Sequence, residues 1–484
     1  MPTTFESFLL AKLPKASQTG FDLPLEALGK TNPKYAFQPH IVQWSLRCGR
    51  AGIYASYGKG KTFMQLKWAD AVAKHTGDRI LILAPLAVAE QTVQEGGKFG
   101  VRIEYAESGD EALKSTSPII ITNYDRLDKF EPAIEQGHFK YPALDESSIL
   151  KNWTGKNKQQ LCEYFKGAQF KTCYSALPAP NSPLEWQGQA EFLEIDGWDS
   201  MLTRYFVRNS MKAGDYKLKP HSARDFWLWV SSWAVCLQHP SDLGFSDEGW
   251  QLPTLNSFTH NVAVNHADTW GEQIEKNGQL QLIRSATQSA TTVHVEQRRN
   301  ALLLAQKAAE IVEAEPNETW QIWCFTDYES EALEECVFGL TTLKGSETRQ
   351  RKKQKLVDYS NGKIQRFCTK PEIAGLGMNW QHCHKVIFIM GSSYSFEQYH
   401  QALHRNYRNG QEHEVDVHLV FAETAGNVRS TLARKQLQYE VQQQGFRQAV
   451  QTMRLVHQAG LKLDDYEPQI EMNIPNWLVN KEAA

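Results

Sequence analysis

Short apolar runs and longer amphipathic stretches alternate along the chain. RILILAP (79–85), PIIIT (118–122), YPALDE (141–146) and FKTCYSA (170–176) are each bounded by turn-forming or polar residues, and β-branched side chains crowd the first two. These runs predict buried strands. TFMQLKWADAVAKH (62–75) spaces its apolar residues as an amphipathic helix does. Strand–helix alternation of this kind implies a parallel sheet covered by helices. The pattern returns in WQIWCF (320–325), IQRFCT (364–369), HKVIFIM (384–390) and VDVHLVF (415–421). Two separate α/β sheets follow, with a boundary near 255–268, where QLPTLNSFTHNVAVNH breaks the alternation. The implied division is a first lobe over 1–200, a helical insertion and linker over 201–262, a second lobe over 263–425 and a helical tail over 426–484.

Composition narrows the class. The chain has 484 residues, 41% hydrophobic and 22% charged, which suits a globular protein with large cores. No run approaches the ~18 consecutive apolar residues of a membrane helix. The N-terminus lacks the apolar core of a signal peptide. The eight cysteines are scattered without a CxxC pair, the usage of a reducing compartment, so a cytoplasmic location is expected. The net charge of −3 means that any nucleic-acid role requires a local basic groove. The aromatic run DFWLWVSSWAV (225–235) predicts a helical subdomain packed on a lobe; its sharper alternative is a platform for stacking bases. RQRKKQK (349–355) predicts a solvated basic helix face, or a flank of a nucleic-acid path. The histidines around QHCH (381–384) match no common structural zinc spacing.

The strongest local signal is ASYGKGKTF (55–63), which follows the apolar AGIYA and precedes a helical pattern. A glycine-rich strand-to-helix turn lets backbone N–H groups approach phosphate oxygens. Gly58 and Gly60 supply the uncluttered backbone, Lys61 reaches the β- and γ-phosphates, and Thr62 holds Mg²⁺ through its hydroxyl. Lys59 is an additional cation in the same loop. Further on, LDESS (144–148) ends a strand. Asp145 there is placed to hold Mg²⁺ through water, and Glu146 to polarise an attacking water. Two adjacent acids can equally cap a following helix; the phosphate loop upstream favours the catalytic role.

These residues and their neighbours resemble a family. DESSILKNWTGK (145–156) resembles a variant DEAH box followed by the Lys-Asn step of Swi/Snf-type superfamily-two ATPases. Gln38 in AFQPHIVQW lies where such proteins read adenine with a glutamine. LAPLAVAEQT (83–92), ITNYDRL (121–127) and SALPAPN (175–181) resemble motifs Ia, Ib and III in the family's order. LKGSE (343–347), AGLGMNWQHC (374–383) and QALHRNYRNGQ (401–411) resemble motifs IVa, V and VI. The resemblance runs from about residue 35 to 425 and is nearest to the compact helicase-like proteins of bacteriophages and their hosts. Two departures stand out: Leu177 replaces the usual threonine of motif III, and Ser148 the usual histidine of the acidic box.

The resemblance implies two RecA-like α/β lobes with a helical insertion and a helical C-terminal tail. It implies ATP with Mg²⁺ in the cleft, bound by Gln38, the phosphate loop and Gly377. Arg405 and Arg408, one helical turn apart, would reach the γ-phosphate as arginine fingers. DNA would cross both lobes, duplex favoured and held at its phosphates, touching Ala84, Pro85, Thr122, Asn123, Lys344, Ser346, Asn379 and Trp380. The implied activity is that of a DNA translocase. The alternatives are a strand-separating helicase and an ATP-gated scaffold or subunit of a larger DNA-processing complex, with Leu177 bearing on whether hydrolysis is coupled to movement.

Overall fold

A computed structural model describes residues 19–29, 32–152, 155–208, 216–263, 290–374, 379–391 and 395–458. Among these, no helix is long and apolar enough to cross a membrane. Two all-parallel sheets form the two lobes, as the alternating pattern predicts.

The first sheet has seven strands. They are β1 (Arg50–Ala55), β2 (Arg79–Ala84), β3 (Ile103–Tyr105), β4 (Ile119–Asn123), β5 (Phe139–Asp145), β6 (Lys171–Tyr174) and β9 (Ala234–Leu237), in the order β3-β4-β2-β5-β6-β1-β9. Strand β6 stands between β1, which carries the phosphate loop, and β5, which carries the acids; this is the arrangement of a RecA-like lobe. Alternation feeds two apolar layers. In β2, Leu81 and Leu83 join one core cluster while Ile80, Ile82 and Ala84 join the other. Helices cover both faces, so the interiors of the central strands β2 and β4 are buried, which explains their near-continuous apolar runs.

The second sheet has six strands: β10 (Leu255–Val262), β11 (Trp320–Trp323), β12 (Thr341–Leu343), β13 (Arg366–Thr369), β14 (Lys385–Ile389) and β15 (Val415–Ala422), ordered β10-β15-β14-β11-β13-β12. Strand β14 splits its side chains in the same way, Ile387 and Ile389 to one layer and Val386 and Phe388 to the other.

The crossing between sheets falls at residues 238–254, earlier than the sequence pattern implies, because β9 still belongs to the first sheet and β10 already to the second. The apolar β9 is masked in sequence by the aromatic helix running into it. β10 is an edge strand whose burial pattern has no fully covered position, so it reads as loop. The insertion is a short antiparallel hairpin, β7 (Phe206–Arg208) with β8 (Tyr216–Leu218), and the helix Ala223–Trp233. Phe226, Trp227, Trp229 and Trp233 of that helix are buried in the first lobe's core, so these rings offer no platform for bases.

The predicted C-terminal helix spans Gly426–Gln458. It leaves the second lobe and returns to the first. Phe446 and Ala449 enter the core cluster of the aromatic helix. Trp186 Nε1 donates to Gln442 Oε1 at 3.2 Å, and Arg447 reaches Asp242 at 3.2 Å. Gly445 lies so close to Trp227 that a Cβ there would stand 2.4 Å from the indole Nε1.

Candidate functional site

Strand β1 delivers the chain into the turn Ser56–Gly60, from which the helix Lys61–Thr76 starts. Gly58 and Gly60 hold φ of 75° and 82°, a region that disfavours any side chain. Space is tight as well: a Cβ on Gly60 would lie 2.1 Å from Gln38 Nε2 and displace that amide, and one on Gly58 would lie 3.1 Å from the Cβ of Asn409 in the second lobe. Gln38 Nε2 donates to the Lys59 carbonyl at 3.0 Å, which ties the predicted base-reading residue to the loop. Lys61 Nζ donates back to the Ala55 carbonyl at 2.9 Å. Burial lowers its pKa, against the pull of Glu146 and Asp145.

The acids sit at the end of β5. Glu146 takes a left-handed conformation, φ 50°, rare outside glycine, and its N–H donates to Asp145 Oδ1 at 3.0 Å. Tyr124 OH donates to the Asp145 carbonyl at 2.7 Å, fixing the strand end. Burial first, then the charge of Glu146, raises the Asp145 pKa to about 7, with Lys61 opposing. Ser175, at the end of β6, donates to Glu146 Oε2 at 3.1 Å and accepts the N–H of Leu177 at 3.1 Å. The segment resembling motif III thus touches the acid through Ser175. Leu177 itself is buried.

The second lobe faces this site with the helix Phe396–Asn406 and the turn after it. Arg405 and Arg408 both line the cavity that holds Lys61, Asp145 and Glu146. They do so differently from the expectation. The helix ends at Asn406, and Tyr407 leaves helical geometry at φ −93°, ψ 84°, so Arg408 projects from the turn rather than from the next helical position. Arg408 donates to Asn379 Oδ1. Burial, then Arg405, lowers the Arg408 pKa to about 10. Gln411 Nε2 donates to the Gln381 carbonyl at 3.0 Å and Asn406 Nδ2 to the Cys383 carbonyl at 3.1 Å, which anchors the turn to the segment before β14. Among the contacts that join the lobes around the cavity, Tyr57 stacks on His404, and Lys151 of the Lys-Asn step pairs with Glu397.

The cavity has a volume of about 530 Å³. Gln38, Gly58, Gly60, Lys61, Thr62, Asp145, Glu146, Arg405 and Arg408, all singled out in the sequence, line it. Gly377 lies outside the described residues. Tyr35, Gln91 and Glu95 also line it and escaped sequence reasoning. Val88, Gln91 and Glu95 share one face of the helix Leu86–Lys98, and Gln91 Nε2 donates to Glu95 Oε1 at 2.9 Å. That spacing was visible, but nothing in it distinguishes a cavity wall from a core stripe.

Of the residues expected on a DNA path, Ala84 stands beside Asn123 at the ends of the paired strands β2 and β4, with Pro85 and Thr122 next to them in the chain. The side chains of Ala84, Thr122, Asn123 and Trp380 are buried. Trp380 packs against Tyr359 and Trp323. Asn379 belongs to the nucleotide-sized cavity and the arginine turn instead. Pro85 is half-buried and Ser346 exposed. Lys344 pairs with Glu334 at 2.8 Å. In the basic run, Lys355 pairs with Glu347 at 2.8 Å and Lys352 donates to the Gly345 carbonyl at 2.6 Å.

The donor set suits a nucleoside triphosphate. One lysine, two arginines and a glycine turn converge with three carboxylates in a cavity of ordinary ligand size. Among the described residues no cluster of three or more His, Cys, Asp or Glu is arranged to hold a metal ion. Thr62 and Asp145 both line the cavity, where they would hold Mg²⁺ together with phosphate oxygens.

No family model matches the sequence, and no curated protein is similar to it. Among solved structures, the chain is similar to the Sulfolobus solfataricus SWI2/SNF2 ATPase core in complex with double-stranded DNA, at 15% identity and a TM-score of 0.41, over 92% of this chain and 97% of that one.

Proposed function

We propose that this chain is a nucleic-acid-stimulated ATPase that hydrolyses ATP when its two lobes close on the nucleotide, with duplex DNA as its track. The observation that carries the reading is a single cavity lined by Lys61, Thr62, Asp145 and Glu146 of one lobe and by Arg405 and Arg408 of the other.

Each residue has a derivable task. Lys61 exchanges the Ala55 carbonyl for phosphate oxygens. Its ammonium, sandwiched between acids and arginines, favours an anionic ligand. Glu146, turned inward by its left-handed backbone and held by Ser175, orients the attacking water and takes up its proton. Arg405 and Arg408 meet the charge that develops on the transferred phosphoryl group. Mg²⁺ held by Thr62 and Asp145 would neutralise the phosphate oxygens. Because the arginines come from the second lobe, hydrolysis depends on lobe position, and cycles of closure and reopening can be converted into movement.

Duplex DNA rather than single strands or RNA rests on the order of motifs in the sequence. Pro85, Lys344 and Ser346 remain candidate backbone contacts. ATP turnover measured with no polymer, duplex DNA, single-stranded DNA and RNA tests the reading, with Lys61→Ala and Arg405→Ala as controls. Stimulation by duplex, lost in both variants, supports it. Equal turnover under all conditions sinks the coupling, and turnover surviving in Lys61→Ala sinks the assignment of the cleft. Triplex displacement without strand displacement would separate translocation from unwinding.

A further inference from the structure

The connector at residues 238–254 carries Trp250, of which only 1% is exposed. Its Nε1 donates to the Lys34 carbonyl at 3.0 Å. Tyr35 meets the ring edge-on at 5.5 Å, and Phe37 packs at 5.4 Å. On the same ring lies the ammonium of Lys59, 4.2 Å from a ring centroid. Lys59 is the loop cation that the phosphate-loop pattern leaves unexplained. It is buried, yet it does not line the nucleotide-sized cavity. Burial lowers its pKa to about 8, with Asp247 and Asp242 of the connector opposing. Its carbonyl, in turn, accepts Gln38 Nε2.

Trp250 thus holds both chain segments that shape the Gln38 end of the cavity. Lys34–Phe37 leads directly into the helix that carries Gln38, and Lys59 supplies Gln38's hydrogen-bond acceptor. The same connector is tied to the other lobe. Tyr407 OH, between the two arginines, donates to the Pro253 carbonyl at 3.1 Å.

We propose that Trp250 is a positioning residue that sets the base-reading end of the nucleotide cleft, and that Lys59 serves this role as a cation on its ring rather than as a phosphate ligand. The inference rests on the ATPase reading above. Its consequence is that preference for adenine over guanine depends on the inter-lobe connector, whereas the phosphate end does not.

The test is equilibrium competition of ATP and GTP against a fluorescent ATP analogue, with steady-state turnover in parallel. The full-length variants are Trp250→Leu, Trp250→Phe and Lys59→Met. Removing the hydrogen bond and the ring in Trp250→Leu is expected to weaken ATP about tenfold while GTP changes less than about twofold. The ATP:GTP preference then collapses at nearly unchanged kcat. Trp250→Phe, which keeps a ring and loses the donor, is expected to fall between, and Lys59→Met to raise KM with kcat retained. Equal weakening of ATP and GTP would overturn the positioning role, as would a loss of kcat in Lys59→Met matching that of Lys61→Ala. Should Trp250→Leu fail to fold, the other two variants carry the test. Absence of ATP binding by the wild-type protein would sink the ATPase reading itself, an outcome separate from an unchanged ATP:GTP ratio in folded variants.

Discussion

Tyr57 of the phosphate loop lies flat on His404 of the arginine helix, ring centroids 4.5 Å apart and planes within 9°. Lys61 Nζ stands 5.2 Å from the other partner in this group, the Tyr57 ring. One residue of the nucleotide loop therefore touches the element that supplies the fingers. An aromatic pair of this kind contributes about 0.5–1.5 kcal/mol beyond area burial. Tyr57→Ala is expected to lower polymer-stimulated turnover about threefold to tenfold with ATP affinity less affected, as measured by kcat and KM with saturating duplex.

His404 is held neutral, chiefly by burial, with its pKa lowered to about 4. The unfolded chain takes up a proton there near 6.5. Stability from this group is therefore present above about 6.5 and declines as pH falls towards 4. His404→Phe keeps a ring in place and removes the proton. The fall in melting temperature from pH 7 to pH 5 should be smaller in that variant than in the wild type; an identical fall would refute the assignment.

Asp145 works in the opposite direction. Its folded pKa is raised, so the native state binds a proton more tightly than the unfolded one, and stability declines as pH rises from the ordinary carboxylate range through about 7. Asp145→Asn should abolish turnover and raise the melting temperature by a few degrees, roughly 2–4 °C, at pH 8, with the gain vanishing near pH 4. Added Mg²⁺ with nucleotide should narrow the difference between the two proteins, since binding stabilises only the wild type effectively. An ATP-turnover assay checks the loss of activity, and thermal melts at the two pH values, with and without Mg²⁺ and nucleotide, check the stability statements.

Ser175 connects Glu146 to the buried segment around Leu177. Ser175→Ala frees the carboxylate and is expected to lower kcat by about tenfold or more at unchanged ATP affinity. Leu177→Thr introduces a hydroxyl at a buried position and should not restore rate in that background.

Arg405→Ala and Arg408→Ala should each reduce single-turnover hydrolysis by ~10³ or more while leaving ATP bound. Arg408→Ala also releases Asn379, so its KM should shift further than that of Arg405→Ala. A variant retaining wild-type single-turnover rates would remove that arginine from the mechanism.

The strands with dense apolar runs were legible because helices bury both sheet faces: β1, β2, β4, β5, β6, β11, β13, β14 and β15 all lie within or beside the runs read from sequence. β3 and β12 escaped because each is only three residues long. β10 escaped because an edge strand needs no apolar face here. The lining of the cleft was legible where a motif fixes both residue type and spacing, as in Gly58, Lys61 and Asp145. Tyr57, Glu95 and Trp250 were not, since their roles arise only when distant segments meet. The burial of Thr122, Asn123 and Trp380 was not legible for the converse reason: a motif locates a residue along the chain, while packing decides whether its side chain faces solvent.

The long C-terminal helix has a consequence for how the protein is made. Phe446 and Ala449 complete an apolar layer whose other members lie no later than Cys236. A ribosome adding ~5–20 residues per second delivers those two side chains about ten to forty seconds after the first sheet has emerged. During that interval the aromatic helix, with Trp227 and Trp229, waits with one flank uncovered. The first lobe therefore reaches its finished form only after the second has been synthesised.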